Sequence, residues 1–81
     1  MQLSNLAKDC QAIVKTVQDV VAQDLIARRL RDIGFVAGEP ISVVAHGPLG
    51  GEPLLVQIGY TRFALRRAEA DRVQVTLATP V

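Results

Sequence analysis

The stretch Arg29-Leu30-Arg31-Asp32-Ile33-Gly34-Phe35-Val36-Ala37-Gly38 decides the fold. An amphipathic run with Leu30 and Ile33 on one face reaches Gly34, where glycine supplies the left-handed backbone that ends a helix. Gly38 then turns the chain into Pro40-Ile41-Ser42-Val43-Val44-Ala45, a β-branched strand pattern. Upstream, Asp24 can cap the helix, which runs to about Ile33 with Ile26, Leu30 and Ile33 as its apolar stripe. These three and Phe35 are expected in the core.

Short strand patterns lie on either side. Cys10 to Val17 is strand-like with apolar residues on both faces, which leaves its buried face open. Ile41 to His46 is the next strand, and Gly47-Pro48-Leu49-Gly50-Gly51-Glu52-Pro53 is a glycine- and proline-rich loop. Leu54, Val56 and Ile58 then point one way, Leu55 and Gln57 the other. Gly59-Tyr60 makes a tight hairpin turn into Arg62-Phe63-Ala64-Leu65-Arg66, with Phe63 and Leu65 inward and the arginines outward. Ala68 to Asp71 reads as one helical turn. Val73, Val75 and Leu77 mark a last strand, and Thr79-Pro80-Val81 a tail. The pattern predicts a single mostly β domain over residues 1–81. It is a strongly bent sheet or partly open barrel of five or six short strands, with one α-helix between the first and second.

Composition narrows the function classes. The chain has 81 residues, 49% of them hydrophobic, and a formal net charge of +1. That suffices for one modest core and gives no general attraction to nucleic acid or acidic lipid. The densest apolar stretch, Ile13 to Ile33, carries Lys15, Asp19, Asp24 and Arg28, which rules it out as a membrane span. The N-terminal Met1-Gln2-Leu3-Ser4-Asn5 has no basic region or apolar signal core, so a cytoplasmic location is expected. A single cysteine, Cys10, excludes an internal disulfide. Catalysis fails on inventory: Ser4 and Ser42 are the only serines, and His46 has no evident carboxylate–nucleophile pair.

Taken in order, Leu3-x-x-Leu6, Arg29-Leu30-x-Asp32-Ile33-Gly34-Phe35-x-x-Gly38, Gly47 to Pro53, Ala64 to Ala70 and Val73-x-Val75 carry a family resemblance. The series resembles the ferrous iron transport protein A (FeoA) family over nearly the whole chain. That family has a small SH3-like barrel, which also forms the C-terminal domain of some iron-dependent repressors of the diphtheria toxin repressor type. Members often carry Gly near Asp9, Pro near Ala37 and Asp near Glu52, so local turn geometry is where this chain departs. The resemblance implies a cytoplasmic accessory protein of bacterial Fe(II) uptake. Its implied partner is the cytoplasmic GTP-binding part of the FeoB membrane transporter, which it regulates or assembles without catalysis. The chain has one helix of useful length and hence no DNA-binding helix pair, which separates it from the repressors. The alternative is a metal-responsive or nucleic-acid-binding regulatory module.

Candidate site residues rest on chemistry. Gly47 to Gly51 is followed by a strand and not by a lysine and a helix, so it is not a phosphate loop. Leu49, at the tip of that loop, is an apolar side chain with little reason to be buried, and Pro48, Gly50 and Gly51 hold it out as a partner contact. The seven arginines fall into two groups, Arg28, Arg29 and Arg31 on the helix and Arg62, Arg66, Arg67 and Arg72 near the last hairpin. They read either as a solvated face, with Arg28 and Asp32 paired four residues apart, or as a basic docking surface in which Arg62 and Arg66 flank the loop. Phe35, Tyr60 and Phe63 are too few to make a stacking platform, so no nucleic acid is expected. Cys10 and His46 are the only thiolate and imidazole, and Glu52 can approach His46 across the hairpin. These three do not make a closed site in one chain, and no cofactor is required. A weak Fe(II) or Zn(II) site shared between two chains, with a weak homodimer, is the metal expectation.

Overall fold

The computed structural model describes residues 1–78. After a 3-10 turn at Leu3–Asn5 come β1 (Gln11–Val17), α1 (Leu25–Asp32), β2 (Pro40–Gly47), β3 (Gly51–Ile58), β4 (Thr61–Leu65), α2 (Arg67–Ala70) and β5 (Val73–Leu77). The strands form one antiparallel sheet in the order β4-β3-β2-β1-β5. Among the described residues there are five strands, the sheet stays open, and α1 lies between the first two strands as the pattern predicts. Register shifts at Val14/Thr16 in β1 and at Val43/Ala45 in β2 bend it. The first shift settles the face left open in β1: Ala12 and Val14 are buried, then the alternation slips and buries Val17. The expected tail Thr79-Pro80-Val81 lies outside the described residues.

The end of α1 is a Schellman motif. The Gly34 amide donates to the Arg31 carbonyl at 3.3 Å and the Phe35 amide to that of Leu30 at 3.0 Å, with Gly34 at φ +124°. Leu30 and Phe35 are both buried, which supplies the apolar contact the motif requires. At the other end Asp24 caps the helix, its Oδ1 accepting from the amides of Ile26 at 3.1 Å and Ala27 at 3.2 Å.

Two core expectations are corrected here. Ile26 and Ile33 are 40% and 39% exposed, because the helix is only eight residues long and seats itself through Ala27 and Leu30. The two isoleucines instead flank a groove toward β4. Leu77 is also exposed, at 46%. Phe63 is half-buried, its ring 5.5 Å from that of Phe35 and tilted by 49°.

Arg72 does not belong to an exposed basic group. It is buried, and its Nε donates to Asp24 Oδ2 at 2.8 Å while its Nη1 donates to the Ala68 carbonyl at 2.6 Å. Asp24 Oδ2 also accepts from the Val20 amide at 3.0 Å. That amide bond, the Arg72 guanidinium and the Ala27 amide hold the Asp24 carboxyl well below the usual aspartate range, against the opposing effect of its burial.

Two outcomes follow from this architecture. Nothing lies within 4 Å of where a Cβ on Gly34 would sit, so Gly34→Ala and Gly34→Val should lose similar stability through backbone strain alone. The loss is about 1–2 kcal/mol, measured by urea unfolding. For Asp24 the folded pKa lies below the unfolded one, so its stabilisation is complete above about pH 4 and is lost as pH falls toward the folded value. Asp24→Asn should therefore lower stability at neutral pH and flatten the acid limb of the stability profile, as followed by thermal melts across the acid range.

Candidate functional site

The loop between β2 and β3 is a small hairpin in its own right. The Leu49 amide donates to the Glu52 carbonyl at 3.3 Å and the Glu52 amide to the Leu49 carbonyl at 3.1 Å, around Gly50 and Gly51 at φ +65° and +88°. Two consecutive positive φ values make the kind of turn that matches strand twist, and glycine adopts them without cost. At the base, a Cβ on Gly47 would overlap the Glu52 carbonyl, so the chain crosses itself where only glycine fits. Leu49 projects from this turn and is 80% exposed.

The loop is tied down at its far side. A Glu52 carboxylate oxygen accepts from the backbone amide of Arg67, the first residue of α2. Glu69 Oε1 accepts from the Arg66 amide at 2.7 Å. The two carboxylates thus satisfy the first two free amides of the α2 entry, where negative charge is favoured. Leu49, Glu52, Pro53 and Arg66 line one shallow concave patch as a result.

The arginines divide differently from their sequence groups. Arg31 donates to Asp19 Oδ1 and to the Val17 carbonyl, both at 2.6 Å, and Arg72 is buried on Asp24. No ion pair joins Arg28 to Asp32 among the described residues. Arg66 adjoins the loop. Arg62 sits at the other end of β4, opposite Gln57, to whose Oε1 its Nε donates at 3.1 Å.

The metal candidates do not converge. Cys10 is half-buried and packs against the core, whereas His46 is exposed on β2. His46 Nδ1 and the Arg67 guanidinium both lie near Gly51. Glu52 has one carboxylate oxygen engaged by the Arg67 amide. Among the described residues no group of three or more His, Cys, Asp or Glu side chains could hold a metal ion. No described helix is long and apolar enough to cross a membrane. The sequence reading missed the Asp24–Arg72 pair and the groove beside β4, because each joins residues that are far apart in the chain.

An open five-stranded sheet with a helix between its first two strands defines a small SH3-like domain. The FeoA domain family model matches residues 1–77, and the chain belongs to the FeoA family, which is associated with ferrous iron transport. The crystal structure of Stenotrophomonas maltophilia FeoA complexed with zinc is 60% identical, with a TM-score of 0.87 over 94% of this chain and 89% of that one. The FeoA protein of Chlorobium tepidum is 33% identical, with a TM-score of 0.83 over 98% of this chain and 71% of that one. IdeR of T. acidophilum shares the fold at 18% identity, with a TM-score of 0.74 over 95% of this chain and 33% of that one. No curated protein matches the chain.

With its donors dispersed, a single chain should bind Fe(II) or Zn(II) only weakly, and His46→Ala should change that little. Calorimetry showing a tight one-to-one site in the monomer, lost in His46→Ala, would contradict this.

Proposed function

We propose that this chain is a non-catalytic adaptor of ferrous iron uptake. It docks on the cytoplasmic GTP-binding part of a FeoB-type transporter and is thereby held at the inner membrane. Pro48, Leu49, Gly50 and Gly51 form the anchor, and Arg66 beside it, with Arg62 further along β4, supplies positive charge. The observation that carries this reading is the exposure of Leu49, 80%, on a turn fixed at both ends by hydrogen bonds. An apolar side chain already held in place loses little entropy on binding, and the arginines speed encounter with an acidic surface. The zinc complex of the Stenotrophomonas relative supports a secondary role for Cys10, His46 or Glu52 as weak metal contacts between two copies. Of the three aromatic side chains only Tyr60 is fully exposed, Phe35 being buried and Phe63 half-buried, and one exposed ring is too few for a stacked nucleic acid, which favours a protein partner.

Leu49→Asp should weaken binding to the transporter's cytoplasmic domain about 30-fold or more, the scale of losing a central apolar anchor. It should abolish support of uptake and leave the melting temperature nearly unchanged. Arg66→Glu should do less, mainly slowing association and reducing its salt dependence. Pull-downs with and without guanine nucleotide, alongside melting curves, check both. Unfolding of Leu49→Asp would make the loop structural, and normal binding would move the interface to another face.

A further inference from the structure

The two edges of the sheet are treated differently. The outer edge of β5 is covered: the Val75 amide donates to the Met1 carbonyl at 2.8 Å, the Met1 amine donates to the Val75 carbonyl at 3.0 Å, and Gln2 bridges Gln74. The outer edge of β4 has no strand or bridge beside it among the described residues. In the β3–β4 hairpin, Ile58 and Thr61 flank a two-residue turn and form a bonded pair, so bonding alternates along the ladder. The amides and carbonyls of Arg62 and Ala64 therefore face outward. A groove runs beside that edge, between β4 and α1, lined by Ile26, Ile33, Phe63 and Leu65 with Arg29 and Glu69 at its rim.

Charge selects the occupant. Arg29, Arg62 and Arg66 have no carboxylate partner among the described residues, while Glu69 is bonded to the Arg66 amide. Three arginines thus lie on or beside the edge, and the two nearby carboxylates, Glu69 and Glu52, are already bonded to amides at the α2 entry. We propose that the β4 edge and its groove take an extended segment of a partner protein in which apolar and acidic residues alternate. The segment adds a strand to β4 through Arg62 and Ala64. Side chains opposite Phe63 and Leu65 enter the groove against Ile26 and Ile33, and the alternate carboxylates fall on the outer face between Arg62 and Arg66. Main-chain bonds hold the segment, and the alternation sets its specificity. This surface leaves out the Leu49 anchor but shares Arg62 and Arg66 with the proposed transporter surface.

The test uses the full chain and the blocked peptide Glu-Val-Glu-Leu-Glu-Val-Glu, with Glu-Glu-Leu-Val-Val-Glu-Glu as the control of equal composition. Amide spectra should shift at Arg62 to Leu65 and at Ile26 and Ile33, and the Arg62 and Ala64 amides should exchange with solvent at least about 10-fold more slowly when the alternating peptide is bound. The control should bind at least about 10-fold more weakly. Ile26→Asp places an acid in the first turn of α1, where the helix tolerates it, and should weaken the alternating peptide by a similar factor with the fold intact. Leu49→Asp should leave peptide binding unchanged, which separates this surface from the proposed transporter anchor. No binding at millimolar peptide, equal binding of both peptides, or shifts confined to residues 47–53 would overturn the proposal. So would protection of Ala64 that rises with protein concentration alone, which would give the edge to a second copy.

Discussion

The Asp24–Arg72 contact holds the two halves of this domain to each other. Three separate stretches of chain end on one carboxylate: the loop after β1 through the Val20 amide, the first turn of α1 through Ile26 and Ala27, and the junction of α2 with β5 through Arg72. A carboxylate buried this completely is tolerable only with all its lone pairs engaged, and here they are. Because Arg72 also reaches the Ala68 carbonyl, the same contact fixes the short α2 turn and, through it, the start of β5. The helix and the last strand are therefore positioned by charge and by hydrogen bonds. The small core, with Phe35 its largest fully buried side chain, fills the space they enclose.

Local features of the chain were legible in the sequence, and long-range ones were not. Gly34, Asp24 and the Gly59-Tyr60 turn announce themselves because their chemistry acts on backbone a few residues away. The five strands followed from β-branched runs separated by glycine and proline. Ile26 and Ile33 misled, since helical periodicity identifies an apolar face without saying how wide a strip of it the sheet covers. Arg72 misled for a related reason: an arginine among other arginines looks solvated until the fold brings Asp24 to it. Asp9 is a smaller instance. It stands near the place where the family often has glycine, and its φ of +67° is of the kind glycine accommodates freely.

In the candidate site, the sequence identified the protruding leucine but not what fixes it. Leu49 between glycines could be read as exposed. The bond from the Arg67 amide to Glu52 could not, because it joins residues on separate elements. That bond engages one Glu52 carboxylate oxygen and gives the residue a structural duty. Arg62 and Arg66, grouped by sequence, occupy opposite ends of β4, and only Arg66 borders the loop.

The asymmetry of the sheet edges limits how copies of this domain can stack. A protein with two bare edges can pair edge to edge without end, which is the geometry of a fibre. Here Met1 and Gln2 cover one edge at Gln74 and Val75, so among the described residues β4 is the edge with nothing beside it. Two copies pairing through their β4 strands would leave no further edge, and growth would stop at two. Arg62 and Arg66 make even that step unfavourable, since the pairing sets like charges against each other. The fold therefore keeps one strand available for binding while blocking the route from an open edge to an aggregate.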